Sequence, residues 1–251
     1  MCYFCTLKPH FMHIKTTGIV LHTLKHKDTA TIVSVYTREF GRVSYLVHGS
    51  NKKKGVVRSA YLQALSLLEM DVFHNSKKSI QQIKDLHTTY TFSGIPYNPI
   101  KNALALFIAE ILYRSLKQTE PDENLFLFLE NAIQQLDHCQ TGISNFHLLF
   151  MVKLSRFLGF APNIEETDFR YFDLLNGIFL SQKPLHSHYL VPEVTTDFAA
   201  LLRIDFSTLD ELVMGRQKRV KLLESLVEYY RLHVPEFHGL HSLAVLQSLF
   251  D

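Results

Sequence analysis

The chain has 251 residues, 47% of them hydrophobic, enough for one large or two small packed domains and too many for bulk disorder. No apolar run approaches the roughly 18 residues of a membrane span, and no basic segment followed by an apolar one opens the chain. Three cysteines are too few for a disulfide framework and suit a reducing cytoplasm. The net charge of +2 hides a split: residues 1–90 hold 13 Lys and Arg against 5 Asp and Glu, while residues 91–251 hold 13 against 19. A basic part beside an acidic part is the pattern expected of a chain that meets a polyanion with one half only.

Residues 1–16 carry little periodicity and read as an N-terminal tail. They contain Cys2-x-x-Cys5 and His10-x-x-His13, zinc-preferred ligand types, but the loop between the pairs is too short to suggest a built site. From residue 17, three runs alternate apolar and polar residues with period two: Gly18–Leu24, Thr31–Thr37 and Arg42–His48. Placing Val33, Val35, Val43, Tyr45 and Val47 in a core leaves Ser34, Tyr36, Arg38, Arg42 and Ser44 on the outer face, polar and cationic with one exposed ring. A basic loop, Lys52, Lys53 and Lys54, follows, with Arg58 beyond it. Two further strand-like runs, Leu65–Phe73 and Ile80–Thr91, flank a second basic turn holding Lys77 and Lys78. Five short strands in residues 17–92 predict a small closed barrel of the OB type, which binds nucleic acid on strands 2 and 3 and on loops 1–2 and 4–5. Those loops would carry Lys25 and Lys27, and Lys77 and Lys78.

The pattern changes near residues 92–98. Asn98 suits an N-cap and Pro99 the first helical position, and residues 98–251 read as a mostly helical domain. A helix follows with Leu104, Phe107, Ile108, Ile111 and Leu112 on one face. Pro121-Asp122-Glu123 opens a second, with the stripe Leu125, Phe128, Leu129, Ala132, Ile133 and Leu136. A third starts near Ser144 or Asn145, carries Leu149, Phe150, Leu154 and Phe157, and ends at Gly159. Residues 163–192 are irregular, with weak strand-like stretches at Gly177–Leu180 and Tyr189–Val191. Helices near Glu193–Arg203, Arg216–Leu232 and Leu240–Phe250 complete an α+β chain.

No Walker A sequence, GxGxxG, GxSxG elbow or HExxH is present. The histidine pairs His186-x-His188 and His238-x-x-His241 lack a third ligand at helical spacing, and paired acids such as Glu165-Glu166 suit solvated positions. No catalytic residue, cofactor or metal site is expected. Three readings stay open: a non-enzymatic DNA-binding protein, a DNA-processing enzyme with an accessory barrel, and an interaction scaffold whose basic half meets an acidic protein.

Gly18-Ile19-Val20-Leu21, the segment Tyr36-Thr37-Arg38-Glu39-Phe40-Gly41-Arg42-Val43, and Gly49 with Lys52–Lys54 resemble the N-terminal barrel of the RecO family, bacterial recombination mediators and DNA repair proteins. Phe157-Leu158-Gly159-Phe160-Ala161-Pro162 and Leu240-His241-Ser242-Leu243 with Leu246 are similar to that family's central and C-terminal helical segments. The resemblance implies an OB-fold followed by a helical domain without catalytic residues. It implies binding and annealing of single- and double-stranded DNA in the cytoplasm, at the nucleoid, and work with RecR, in some pathways RecF, to load RecA onto strands coated by single-strand-binding protein. Many members carry a four-cysteine zinc module after the Gly-x-x-Pro segment. Residues 163–190 here contain no cysteine, so packing of Tyr171, Phe172, Leu174, Leu175, Ile178 and Phe179 is expected to hold that stretch instead.

The residues expected to meet DNA are Lys25, Lys27, Tyr36, Arg38, Arg42, Lys52, Lys53, Lys54, Arg58, Lys77 and Lys78, with Tyr36 stacking a base. For the acidic, apolar-ended tail of single-strand-binding protein, Lys153 and Arg156 beside the third helix's stripe are the expected cations, with Arg114 and Lys117 as the alternative.

Overall fold

The computed structural model describes residues 12–27, 30–48, 59–75, 77–117, 120–163 and 169–249. Five strands, β1 (Met12–Lys27), β2 (Ala30–Thr37), β3 (Gly41–His48), β4 (Leu67–His74) and β5 (Ile80–Thr88), close into a barrel in the order β1-β2-β3-β5-β4. All neighbours are antiparallel except β3 and β5, which run parallel through Ser44–Ile80, Tyr45–Gln81 and Leu46–Gln82. The core holds Val20, Val33, Val35, Tyr45, Val47, Leu68, Met70, Val72 and Leu86, so the valine faces of β2 and β3 point inward as their alternation predicts.

β1 begins at Met12, well inside the stretch expected to be a tail. Its first half pairs with β4, from Met12–His74 to Ile19–Leu67, and its second half with β2, so one strand closes the barrel on both sides. The signal there is weak because Thr16, a polar residue, is buried; its hydroxyl is satisfied by the Thr17 carbonyl and the Glu39 carboxylate. At the crossover Gly18 leaves no room for a Cβ, which would lie 2.5 Å from Val35 Cγ1 and 2.9 Å from the Met70 methyl. β4 starts at Leu67 rather than Leu65, because Leu65 takes a positive φ of 64° and belongs to the turn into the strand.

The helical elements are α1 (Pro99–Ser115), α2 (Glu123–His138), α3 (Phe146–Phe157), α4 (Pro192–Leu202), α5 (Arg216–His233) and α6 (Ser242–Leu249). Asn98 caps α1, its side-chain oxygen accepting the N–H groups of Ile100 (2.9 Å) and Lys101 (3.2 Å). Asp122 caps α2 in the same way through Asn124 and Leu125. Gly159, at φ 84°, ends α3: its N–H reaches the Arg156 carbonyl and the Phe160 N–H the Ser155 carbonyl, the paired bonds of a Schellman cap.

Within the stretch expected to be irregular, β6 (Tyr171–Asp173), β7 (Ile178–Leu180) and β8 (Tyr189–Leu190) form a three-stranded sheet in the order β7-β6-β8. Phe172, Leu174 and Phe179 are buried, as expected of an apolar anchor, and Phe172 and Phe179 pack on Phe198 of α4. Leu175 and Ile178 are exposed, correcting the expectation that they join it. A polar hub does part of the work expected of them. Asp173, 3% exposed, accepts the N–H groups of Leu175 and Asn176 and contacts Asn176 Nδ2 and His186 Nε2, which together hold its carboxyl below its ordinary value despite burial.

The chain separates into two compact units. One gathers the described residues up to Thr91 together with Leu116–Glu130, and the other gathers Phe92–Ser115 and the residues after Glu130. The expected change at residues 92–98 therefore marks where the chain first leaves the barrel, and a later segment returns to it. In the helical unit Asp137 receives the N–H groups of Ser93, Gly94 and Ile95 at 2.7–2.9 Å, and the buried Lys101 ammonium donates to the Asp137 carbonyl at 2.6 Å. Tyr229 and Tyr230 of α5 donate their hydroxyls to the carbonyls of Phe160 (2.6 Å) and Met151 (2.7 Å), tying α5 to α3 and its cap.

Candidate nucleic-acid interface

The outer face of β2 and β3 is built from three cross-strand pairs: Tyr36–Arg42, Ser34–Ser44 and Ile32–Leu46. The strand pleat puts all six on the side away from the valine core, where the sequence places Ser34, Tyr36, Arg42 and Ser44. The pairs then diverge in what lies over them.

At one end the returning segment Leu116–Glu130 covers the sheet. Tyr36 is fully buried, and its ring stacks on Phe126 of α2 with centroids 6.4 Å apart and planes 23° from parallel. Burial pushes its phenol up to about 12. The expected exposed, base-stacking ring is thus corrected: the face is as expected and the exposure is not, because a helix from later in the chain occupies it. Arg38 lays its guanidinium fork on Glu123, Nε to Oε2 at 2.7 Å and Nη2 to Oε1, and this pair raises the arginine and lowers the glutamate from their ordinary values. Arg42 Nη1 donates to the Leu116 carbonyl at 3.4 Å. Two of the expected DNA-binding cations therefore hold the covering segment.

At the other end Ile32 and Leu46 are half-buried. They floor an open cleft of about 180 Å³ together with Phe73 and Ile80. Gln81, Gln82, His26 and the cation Lys78 complete its lining. Ile80 and the neighbouring Leu24 are exposed at 38% and 57%, apolar surface that folding has left in water. Lys78 lines the cleft, and Lys77 beside it is exposed on the turn between β4 and β5, where loop 4–5 is expected. Lys25, expected in loop 1–2, instead lies within β1, opposite Thr31 and so on the other face of the sheet from Ile32.

The loop carrying Lys77 and Lys78 is held from beneath. Gln81, 4% exposed, accepts the Asn75 N–H at 2.8 Å and donates to the carbonyls of Asn75 (2.9 Å) and Lys78 (2.7 Å). The Asn75 side chain accepts the Lys77 N–H at 3.0 Å, and the Asn75 carbonyl the Lys78 N–H at 2.9 Å. One buried amide thus fixes the backbone of a basic turn, which lowers the entropy lost when it takes up an anion.

Lys27 is the last residue of β1. The side chain of Lys27 and the basic stretch Lys52, Lys53, Lys54 and Arg58 lie outside the described residues, as do Cys2, Cys5 and His10. His13 lies on β1 beside Asp71 at 3.7 Å. In the helical unit the stripe Leu149, Phe150 and Leu154 is core, with 0–1% exposure, so it cannot line the open groove expected for a peptide tail. Lys153 pairs with Asp205 at 2.5 Å, and Arg156 is exposed. Arg114 pairs with Glu110 at 3.1 Å, and that carboxylate also caps α6 through the N–H groups of His241 and Ser242. Among the described residues no three His, Cys, Asp or Glu side chains gather as a metal site would require, and no helix is long and apolar enough to cross a membrane.

Sequence reasoning missed Phe126 and Glu123 as the cover, and Ile32, Leu46 and Ile80 as the open floor. A signal for the first existed: Phe126 is spaced three and seven residues before Leu129 and Ile133, so it widens the apolar stripe of α2 beyond the residues assigned to it.

A five-stranded closed barrel of this kind is OB-like, an architecture found among modules that bind oligonucleotides and oligosaccharides. Two family models match the chain: "Recombination protein O N terminal" over residues 12–92 and "Recombination protein O C terminal" over residues 96–244. Curated relatives named DNA repair protein RecO include one from Bacteroides fragilis, 43% identical over 239 residues, covering 94% of this chain and 99% of the relative. One from Phocaeicola vulgatus is 42% identical over 240 residues with the same coverage, and one from Flavobacterium psychrophilum is 33% identical over 242 residues, covering 96% of this chain and all of the relative. The chain belongs to the RecO family.

Proposed function

We propose that this protein is a DNA-binding recombination mediator. It binds DNA through its barrel, anneals complementary strands, and with RecR and in some pathways RecF helps load RecA onto strands coated by single-strand-binding protein. The observation that carries the reading is the open end of the β2–β3 face, where Lys78, with exposed Lys77 next to it on the turn, lines a cleft of apolar residues on a barrel of a DNA repair family. Lysines neutralise phosphates and release counterions, and the apolar floor adds a contact that plain duplex backbone does not make. The basic run Lys52–Lys54 adds charge from the same part of the sequence. The protein has no catalytic step in this account: annealing follows from holding two strands whose mutual repulsion the lysines reduce. The acidic helical unit is the side that meets protein partners, with exposed Arg156 a cation available to an acidic tail.

Gel-shift titrations with single- and double-stranded oligonucleotides at two salt concentrations test this directly. Affinity should fall steeply with salt, and replacing Lys52, Lys53 and Lys54 by alanine should flatten the dependence. Salt-independent binding, or none, would remove DNA from the account. Titrating a tail peptide of single-strand-binding protein against wild type and Arg156→Ala tests the partner side, where equal affinities would place that contact elsewhere.

A further inference from the structure

The cleft at the open end of the barrel has a composition that phosphate binding alone does not call for. A site for a sugar–phosphate chain needs cations and N–H donors; this one has a floor of Ile32, Leu46, Phe73 and Ile80 beneath a cationic rim. Exposed isoleucine and leucine beside lysines gain nothing from a phosphate and gain free energy from a flat apolar solute. Ile80 lies opposite Ser44, two residues before Gln82 on β5, and the other three floor residues are tied to Gln82 by strand pairing: Ile32 sits directly opposite Leu46, Leu46 opposite Gln82, and Gln82 opposite Phe73. They therefore form one row around the barrel wall rather than a chance meeting of loop side chains. Gln82 brings an amide, donor and acceptor on one group, to the wall of that row.

We propose that this cleft holds one unpaired nucleobase of a bound strand, its ring against Ile32, Leu46 and Ile80, with Gln82 facing its hydrogen-bonding edge and the flanking phosphates on Lys78 and the adjacent Lys77. The inference rests on the DNA-binding reading and adds the state of the ligand. A nucleobase offers apolar faces, a polar edge and an anionic linkage within one residue's length, which matches floor, wall and rim in turn. A volume of about 180 Å³ accommodates a single ring system. In a duplex each base has its faces stacked and its edge paired, so only an unpaired base can enter. The barrel accordingly discriminates single strand from duplex by this contact while its lysines bind both. Gln81 contributes as a positioning residue, because its bonds to Asn75 and Lys78 fix the rim over the floor.

The test uses the full chain and three probes: a thymidine single strand, the same strand built of abasic units with equal length and phosphate count, and a duplex of the same length. Wild type should bind the thymidine strand about tenfold more tightly than the abasic one, the scale of one base contact. Ile80→Ala, at an exposed position where folding is checked by circular dichroism, and Gln82→Ala should each narrow that gap and leave duplex affinity unchanged. Equal, salt-dependent binding of thymidine and abasic strands by wild type would overturn the cleft and leave the DNA-binding reading standing. A gap that neither variant narrows would place base recognition elsewhere. Failure of all three probes to bind would overturn both readings.

Discussion

The two ends of the β2–β3 outer face share strands, register and pleat, yet one is interior and the other surface. Tyr36 and Arg42 lie beneath the returning segment, while Ile32 and Leu46, four residues along each strand, floor an open cleft. Charge alone does not distinguish them, since arginines mark the first end and lysines the second. The distinction follows from geometry. Arg38 and Arg42 present planar guanidinium groups to a carboxylate and a carbonyl of the covering segment, and Lys77 and Lys78 sit exposed on a braced turn. Arginine here serves intramolecular docking, and lysine faces the solvent from which a ligand arrives.

The largest expected effect tests the covered end. Tyr36→Ala removes a fully buried ring and should cost about 3–5 kcal/mol, the range for truncating buried aromatics, read as a fall in the thermal midpoint. Affinity for single-stranded DNA measured well below that midpoint should hold. An unmoved midpoint with diminished affinity would mean that this end is open after all.

The open end should behave in the opposite sense. Lys77→Ala with Lys78→Ala should move stability by less than about 0.5 kcal/mol, as surface changes do. It should lower the slope of log affinity against log salt by about 1.4 on single strands, about 0.7 for each phosphate no longer neutralised. A retained slope would take this turn out of the interface and leave the two ends equal in function.

The finest test is alkaline. A phenol whose folded value is raised from 10.0 to about 12 keeps its proton in the native state while an unfolded chain gives it up. The stability it confers is complete below pH 10 and is lost as the pH rises toward 12. Wild type should therefore lose thermal midpoint over that interval more steeply than Tyr36→Phe. Parallel curves would place the Tyr36 hydroxyl in water.

Much of this is legible in sequence. Alternation in β2 and β3 locates the barrel core and assigns the outer face correctly, and Asn98, Asp122 and Gly159 mark helix ends through local chemistry that operates wherever such residues occur. The first half of β1 is hidden because a buried threonine breaks its alternation, its hydroxyl satisfied by groups that no local pattern reveals. Coverage of Tyr36 is hidden for a deeper reason. Period-two alternation reports which face a side chain takes, and whether another element lies on that face depends on a segment some ninety residues away. The apolar stripe on α3 errs in the same direction: its pattern suits a groove edge, and the fold uses it as core.

The returning segment also bears on how the protein is made. The barrel unit is discontinuous, its strands complete by Thr88 and its outer layer supplied only by Leu116–Glu130. A ribosome adding about 5–20 residues per second reaches Glu130 roughly 2–8 s after Thr91. During that interval a nascent barrel shows Tyr36 and its neighbours uncovered, with α1 already emerging between the two halves of the unit. Synthesis order thus gives the half-made protein a sticky, ring-bearing face on the same sheet whose other end is proposed to meet DNA, and leaves the arginine fork of Arg38 without its glutamate until the second helix is translated.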